Sequence, residues 1–390
     1  MIYLDNAATS FPKPPEVIDA VAGYMRDVGA SPGRSAHQLA AQAARILLDA
    51  REAVAQVLGA SDSRQVVFTA NATEALNVAL SGVLRQGDHV VLTSMEHNAI
   101  MRPLRHLRET RGVTATVVQG DYTGLVDPAA MRDAITPRTR LVIANYASNV
   151  VGTLQRIAEI REAVGRDVLL LTDAAQAAGA VPLDVERDGI DLLAFTGHKA
   201  LLGPPGTGGL YIRPGLEGEL VPLIRGGTGS ESESDDMPSF LPDRFESGTR
   251  NGPGLAGLGT AARFLLARGV ASIRAHEVEL TLRLLDGLAR IPGVTWYGPA
   301  DPAARLATVP ITVEGMAPGE AAHELDRRFG ICVRSGLHCA PQAHRTIGTF
   351  PAGALRLALG WASTEGDVAA ALSAVAELAA EARSGKAVSA

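Results

Sequence analysis

Cysteine is almost absent from this chain of 390 residues, which holds only Cys332 and Cys339. Two thiols build no disulfide framework, so a reducing compartment is expected and a cytoplasmic location with it. Aromatic residues are scarce at 4%, so the core must be assembled from small aliphatic side chains. No apolar run approaches the roughly 20 residues that a membrane-spanning helix needs. The opening MIYLDNAATS lacks the basic region and apolar stretch of a signal peptide. Positive charge is not in excess either. A formal net charge of -6 gives no electrostatic case for nucleic acid or an anionic membrane as partner. Nine histidines are present, but HExxH and CxxC are both missing, so no metal site is expected.

What is present is globular in character: 46% hydrophobic and 20% charged. The length calls for a large domain and a smaller one. Short apolar runs alternate with helical patterns. Gln65 to Thr69, His89 to Ser94, Arg140 to Asn145, Val168 to Thr172, Leu192 to Thr196 and Gly209 to Ile212 are expected strands. Continuous apolar strands between helices imply an α/β fold with a mainly parallel sheet covered on both faces. Ligands then bind beyond the carboxyl ends of the strands. Arg225 to Gly254, rich in Gly, Ser, Pro and acid, is too long for a tight connection and is expected to be a functional loop or partly disordered. A helical pattern from about Leu255 past Gly269 is expected to link two domains. The division expected is residues 1–15 packing with the small domain, 16–255 as the large domain, 256–269 as the linking helix and 270–385 as the small domain. In the last, Ala307 to Val313 and Ile331 to Arg334 are expected strands, Asp367 to Arg383 a helix, and the tail SGKAVSA should fray.

Chemistry enters at Asp173, directly after the run VLLLT, and at Lys199, in TGHK after LLAFT. Either alone passes for a helix cap or a surface lysine. Together, at the ends of neighbouring strands, they suit pyridoxal 5'-phosphate (PLP). The carboxylate keeps the pyridine nitrogen protonated and the amine forms a Schiff base with the aldehyde. Gln176 is placed to hydrogen-bond the ring oxygen. The phosphate needs amide donors at a helix N-terminus, which Ala72 and Thr73 of TANATE offer, with Thr196 and His198 completing the cradle.

These strings, with YLDNAATS, ATEALN, MEHNA, SNVVGT, TDAAQAAG, TGHKALLGPPGTGGLYI, FESGTRN and RSGLHCAP, span nearly the whole chain. The sequence resembles the class V aminotransferases, PLP enzymes of fold type I, and within them the cysteine desulfurases. The resemblance implies a PLP-dependent transferase fold: a large domain with a mainly parallel seven-stranded sheet and a smaller α/β C-terminal domain. It implies Lys199 as the cofactor lysine, Asp173 on the pyridine nitrogen, Gln176 on the ring hydroxyl and His97 stacked on the ring. Asn149 falls near substrate carboxylate and cofactor. Thr73, Thr196 and His198 fall on the phosphate, and Arg356 clamps the substrate carboxylate. Thr249 is implied to reach the phosphate of a second subunit, hence a homodimer. Ala72 departs from the family's usual hydroxyl residue, and Thr196 stands where serine is commoner.

Cys339 lies in a polar segment with Gly and Pro, which exposes a thiol. Arg334, His338 and His344 are candidates to favour its thiolate, whereas Cys332, in the apolar GICV, is expected to be an inert core residue. The implied reaction converts L-cysteine to alanine, leaving a persulfide on Cys339 for an acceptor protein or small thiol. The segment is short, as in the second group of desulfurases, so the acceptor is expected to come to the site. The resemblance connects such sulfur with iron–sulfur cluster biogenesis among other destinations, and the residues do not choose between them. Selenocysteine lyase, cysteine sulfinate desulfinase and aminotransferase activities are the competing readings. A dehydrogenase is not: Gly252-Pro253-Gly254-Leu255-Ala256-Gly257 matches GxGxxG in letters, but no strand precedes it.

Overall fold

The computed structural model describes residues 1–32 and 37–384; from Lys386 and its neighbours at 385 onward, the tail expected to fray lies outside the described residues. The strands in chain order are β1 (Ile2–Tyr3), β2 (Val66–Thr69), β3 (His89–Thr93), β4 (Thr114–Val118), β5 (Thr139–Asn145), β6 (Leu169–Asp173), β7 (Leu192–Thr196) and β8 (Gly208–Ile212). After them come β9 (Val294–Trp296), β10 (Thr308–Val313), β11 (Ile331–Cys332), β12 (Arg334–Gly336) and β13 (Ala354–Ala358).

Seven strands form one sheet in the order β2-β8-β7-β6-β5-β3-β4. All pairings are parallel except those of β8 with β2 and β7. This is the mainly parallel seven-stranded sheet expected. Its apolar runs are continuous because alternate residues are buried on opposite faces. Leu170, Leu193 and Phe195 face one core with the helices Gln38–Leu58 and Gly252–Arg268. Leu169, Leu171, Leu192 and Ala194 face a second core with the helices Ala72–Val83 and Asn98–Arg111. Each fully buried aliphatic side chain contributes roughly 1.5–3 kcal/mol.

A four-stranded antiparallel sheet, β12-β13-β10-β9, carries a third core with the helices Val270–Leu288 and Glu365–Arg383. The start of the chain joins this region: β1 pairs in parallel with β11.

The structure departs from the sequence expectations in several places, the short strands β1 and β9 among them. β4 was not expected, because its edge position leaves its threonines unburied and breaks the apolar run. β13 was hidden by Arg356, a charge in mid-strand that is 1% exposed. The helical pattern near Leu255 is two helices: one starts earlier, at Gly252, capped by the Asn251 side chain, and ends at Arg268. The second begins at Val270, after Gly269 at φ 83°, a left-handed value that breaks the helix. The GxGxxG letters serve packing. A Cβ at Gly257 would stand 2.6 Å from a Val21 methyl, and one at Gly252 would collide with the Tyr24 hydroxyl oxygen.

Residues 225–254 are held rather than loose at their far end. The buried Glu246 accepts both Arg51 nitrogens, at 2.6 and 2.9 Å, and the Phe68 amide at 2.6 Å.

Candidate active site

The carboxyl ends of β5, β6 and β7 place Asn145, Asp173 and Thr196 side by side. Around them lies a cleft enclosing about 530 Å³ of space that opens to solvent. Nine of the residues expected at the cofactor site line it: Ala72, Thr73, His97, Asn149, Asp173, Gln176, Thr196, His198 and Lys199.

Each is held by local structure. Lys199 ends the turn that follows β7. Ser10 donates to its carbonyl at 2.8 Å, and Lys13 donates to the His198 carbonyl at 2.7 Å, so the N-terminal segment clamps the lysine-bearing turn. Burial lowers the Lys199 amine to about 8; Asp173 opposes the shift, and Arg356 and Arg334 reinforce it. About a tenth is then the free amine at pH 7, far more than for an ordinary lysine. Burial also lowers His198, to about 4, helped by Lys199 and Lys13. Asp173 is buried and accepts the Ala175 amide at 2.9 Å. No ion pair satisfies it among the described residues. His97 caps the helix Asn98–Arg111: its Nδ1 accepts the Ala99 amide at 3.0 Å, so Nε2 carries the proton. Burial lowers its pKa, against the pull of Asp173. It is a neutral flat ring. Gln176 donates to the Ala7 carbonyl at 3.0 Å.

Three expected site residues lie outside this cavity. Cys339 is exposed and lines an adjoining cleft of about 860 Å³ that shares Thr73, His97 and Ala99 with it. Arg356 lies behind Asn149, donating to its carbonyl at 2.9 Å and to Asp5 at 2.8 Å, with Nε unpartnered. Thr249 is exposed and borders a separate cleft with Arg51 and Arg250, away from Lys199 of its own chain.

The environment of Cys339 corrects one expectation. His338 and His344 do not supply positive charge to the thiol. Burial, with Arg356 nearby, lowers them to about 3 and about 4, so both are neutral. Arg334 approaches the sulfur, at 3.9 Å. Cys332 is partly buried, and burial raises its thiol. Sequence reasoning also missed Asn71, whose side chain caps the helix Ala72–Val83 by accepting the Glu74 amide at 3.0 Å. The signal was there, an Asn immediately before a helical pattern. It missed Asn145 as well, the last residue of an expected strand.

The residues present fit PLP. The cavity combines an amine and a carboxylate without ion-pair partners, a neutral ring, and the N-terminus of the helix Ala72–Val83. Gly208 keeps that end close to the sheet, since a Cβ there would stand 2.7 Å from Asn71 Cα.

The model of the class-V aminotransferases matches residues 2–371, and the chain belongs to that family. Within it, the resemblance is to cysteine desulfurases. The chain is 40% identical to a probable cysteine desulfurase of Methanothermobacter thermautotrophicus, over 90% of this chain and 89% of that one. It is 34% identical to a cysteine desulfurase of Pectobacterium atrosepticum, over 87% and 84%. In three dimensions it is similar to the cysteine desulfurase of Thermococcus onnurineus NA1, with a TM-score of 0.91 and 31% identity, covering 97% and 94% of the two chains. An S-sulfonic acid form of the Escherichia coli enzyme gives a TM-score of 0.87 at 28% identity, covering the same shares. The fold is thus the fold-type I arrangement expected. No helix among the described residues is long and apolar enough to cross a membrane.

Proposed function

We propose that this protein is a PLP-dependent cysteine desulfurase that converts L-cysteine to alanine and collects the sulfur on Cys339. The observation that carries the reading is the exposed Cys339 thiol in a cleft that shares walls with the cavity of Lys199 and Asp173.

Lys199 would anchor the cofactor, Asp173 hold its ring nitrogen, Gln176 its ring oxygen, and His97 cover its face. Ala72, Thr73, Thr196 and His198 would hold the phosphate. Bound there, PLP supplies an electrophilic aldehyde and an electron-withdrawing ring that stabilises negative charge on the substrate Cα. The chain's own groups do the rest. The Lys199 amine, poised near neutrality, takes the Cα proton. Arg356, steadied by Asp5, binds the substrate carboxylate, with Asn149 beside it. The Cys339 thiolate attacks the substrate sulfur. An S–S bond forms, the C–S bond breaks with its electrons left on the substrate Cβ, which gains a proton, and Cα regains the proton given to Lys199 as alanine is completed. Arg334, 3.9 Å from the sulfur, stands beside the attacking group. A protein or small thiol then removes the outer sulfur at the exposed loop. Thr249, away from its own cavity, serves the phosphate site of a second copy in a homodimer.

Purified protein supplied with PLP should be yellow and form alanine and sulfide from L-cysteine in the presence of a thiol. Cys339→Ala should stay yellow and lose both products. An equally active Cys339→Ala would instead favour a lyase that needs no thiol.

A further inference from the structure

The thiol-bearing loop adopts a backbone that L-residues avoid. His338 and Cys339 have φ of 49° and 60°, two consecutive non-glycine residues in the left-handed region, where Cβ crowds the following carbonyl. Such a conformation persists only when its surroundings over-determine it. Here separate elements hold the two carbonyls. Asn149 donates from Nδ2 to the His338 carbonyl at 2.6 Å, and the Asn98 amide donates to that of Cys339 at 2.8 Å.

Beneath the loop, the His338 and His344 side chains are buried and contact each other through Nδ1 and Nε2 at 3.2 Å. The other His338 nitrogen, Nε2, lies 3.3 Å from the Arg334 carbonyl. The other His344 nitrogen, Nδ1, lies 2.7 Å from the Thr349 hydroxyl. The proton positions follow from one end. A carbonyl only accepts, so His338 carries its proton on Nε2 and accepts at Nδ1. His344 must then donate from Nε2, and its Nδ1 accepts from Thr349. Every polar ring atom is satisfied in this single arrangement, with both rings neutral. The chain ends on Arg334, whose guanidinium stands 3.9 Å from the Cys339 sulfur.

We propose that Thr349, His344 and His338 form a one-way hydrogen-bonded chain that fixes Cys339 in its left-handed pose and keeps Arg334 beside its sulfur. They are positioning residues for sulfur transfer, and this role rests on the reading of Cys339 as the sulfur acceptor.

The test uses PLP-loaded protein carrying His344→Leu, His344→Gln or Thr349→Val. Two quantities are read: the pH profile of Cys339 alkylation by iodoacetamide without substrate, mapped by peptide mass, and kcat and KM for alanine formation. His344→Leu should move the alkylation midpoint to higher pH and lower kcat at least tenfold, with KM for L-cysteine within threefold. His344→Gln, whose amide donates at similar reach toward His338, should return both readouts to within threefold of the parent. Thr349→Val, which leaves the ring-to-ring bond, should fall between them. A His344→Leu protein with the parent's cofactor spectrum, alkylation profile and kcat overturns the proposal. So does a His344→Gln protein as impaired as His344→Leu. If His344→Leu does not fold, Thr349→Val decides: a shifted alkylation profile upholds the chain and an unchanged one overturns it. If the profiles shift as expected while Cys339→Ala keeps full alanine formation, the positioning stands and the sulfur-acceptor reading fails.

Discussion

Lys199 and Cys339 sit in opposite surroundings. The amine is brought toward neutrality by burial at the end of β7, whereas the thiol stays at the surface with Arg334 beside it. Lys199→Ala should therefore remove both the anchor and the base. Alanine formation is expected to drop more than a thousandfold, and borohydride should no longer fix cofactor to the protein; retention of either would contradict the assignment. Arg356 makes a narrower prediction. Its guanidinium is held in one plane by Asp5 and the Asn149 carbonyl, and lysine cannot reproduce that fork. Arg356→Lys should raise KM for L-cysteine about tenfold or more, as expected for loss of a bidentate carboxylate contact. An unchanged KM would remove Arg356 from the substrate site. At this scale the sequence was informative where a residue's role follows from its neighbours in the chain, as with Asp173 after VLLLT or Lys199 in TGHK. It misled at His338 and His344, because nearness in sequence suggested charge near the thiol and only burial reveals that they are neutral.

At the scale of elements, strands were legible when both their faces are buried. Runs such as VLLLT and LLAFT have no polar residue to interrupt them. β4 and β13 were illegible for opposite reasons: one lies at an edge and keeps its threonines, the other buries an arginine that a neighbouring segment satisfies. The acid-rich stretch 225–254 belongs to this scale too. Its anchor is a buried ion pair between Glu246 and Arg51, supported by the Phe68 amide. Removing one partner leaves the other buried and unpaired, at a cost of about 3–5 kcal/mol. Glu246→Ala should lower denaturant stability by that order, and the stretch bearing Thr249 should become the first site of limited proteolysis. A Glu246→Ala protein as stable and as resistant as the parent would show that the ion pair does not anchor this stretch.

Across the whole molecule, the N-terminal segment clamps the lysine-bearing turn of the seven-stranded sheet, and part of the response to acid follows from two histidines buried beneath the thiol-bearing loop. His338 and His344 are held at about 3 and about 4, against an ordinary value of 6.5. Between these values the unfolded chain binds protons that the folded one refuses. The contribution of this pair is therefore complete above about pH 6.5 and is lost as the pH drops from there toward about 4, while the buried carboxyls of Glu96 and Glu277, raised to about 8 and about 7, contribute in the opposite direction over the same range. Each of these two histidines accounts for on the order of 3 kcal/mol over that window. Between pH 7.5 and 5 the unfolding temperature of the PLP-loaded parent should fall relative to that of His344→Leu, and a difference that does not change with pH would contradict the neutral pair. The central claim, that sulfur passes from substrate to Cys339, is tested most directly by a single turnover. PLP-loaded protein is mixed with less than one equivalent of L-cysteine, without thiol or reductant, and digested for mass spectrometry. One added sulfur on the Cys339 peptide, with an equal amount of alanine released, is the predicted result. Alanine released with the Cys339 peptide unmodified and free sulfide in solution would contradict it.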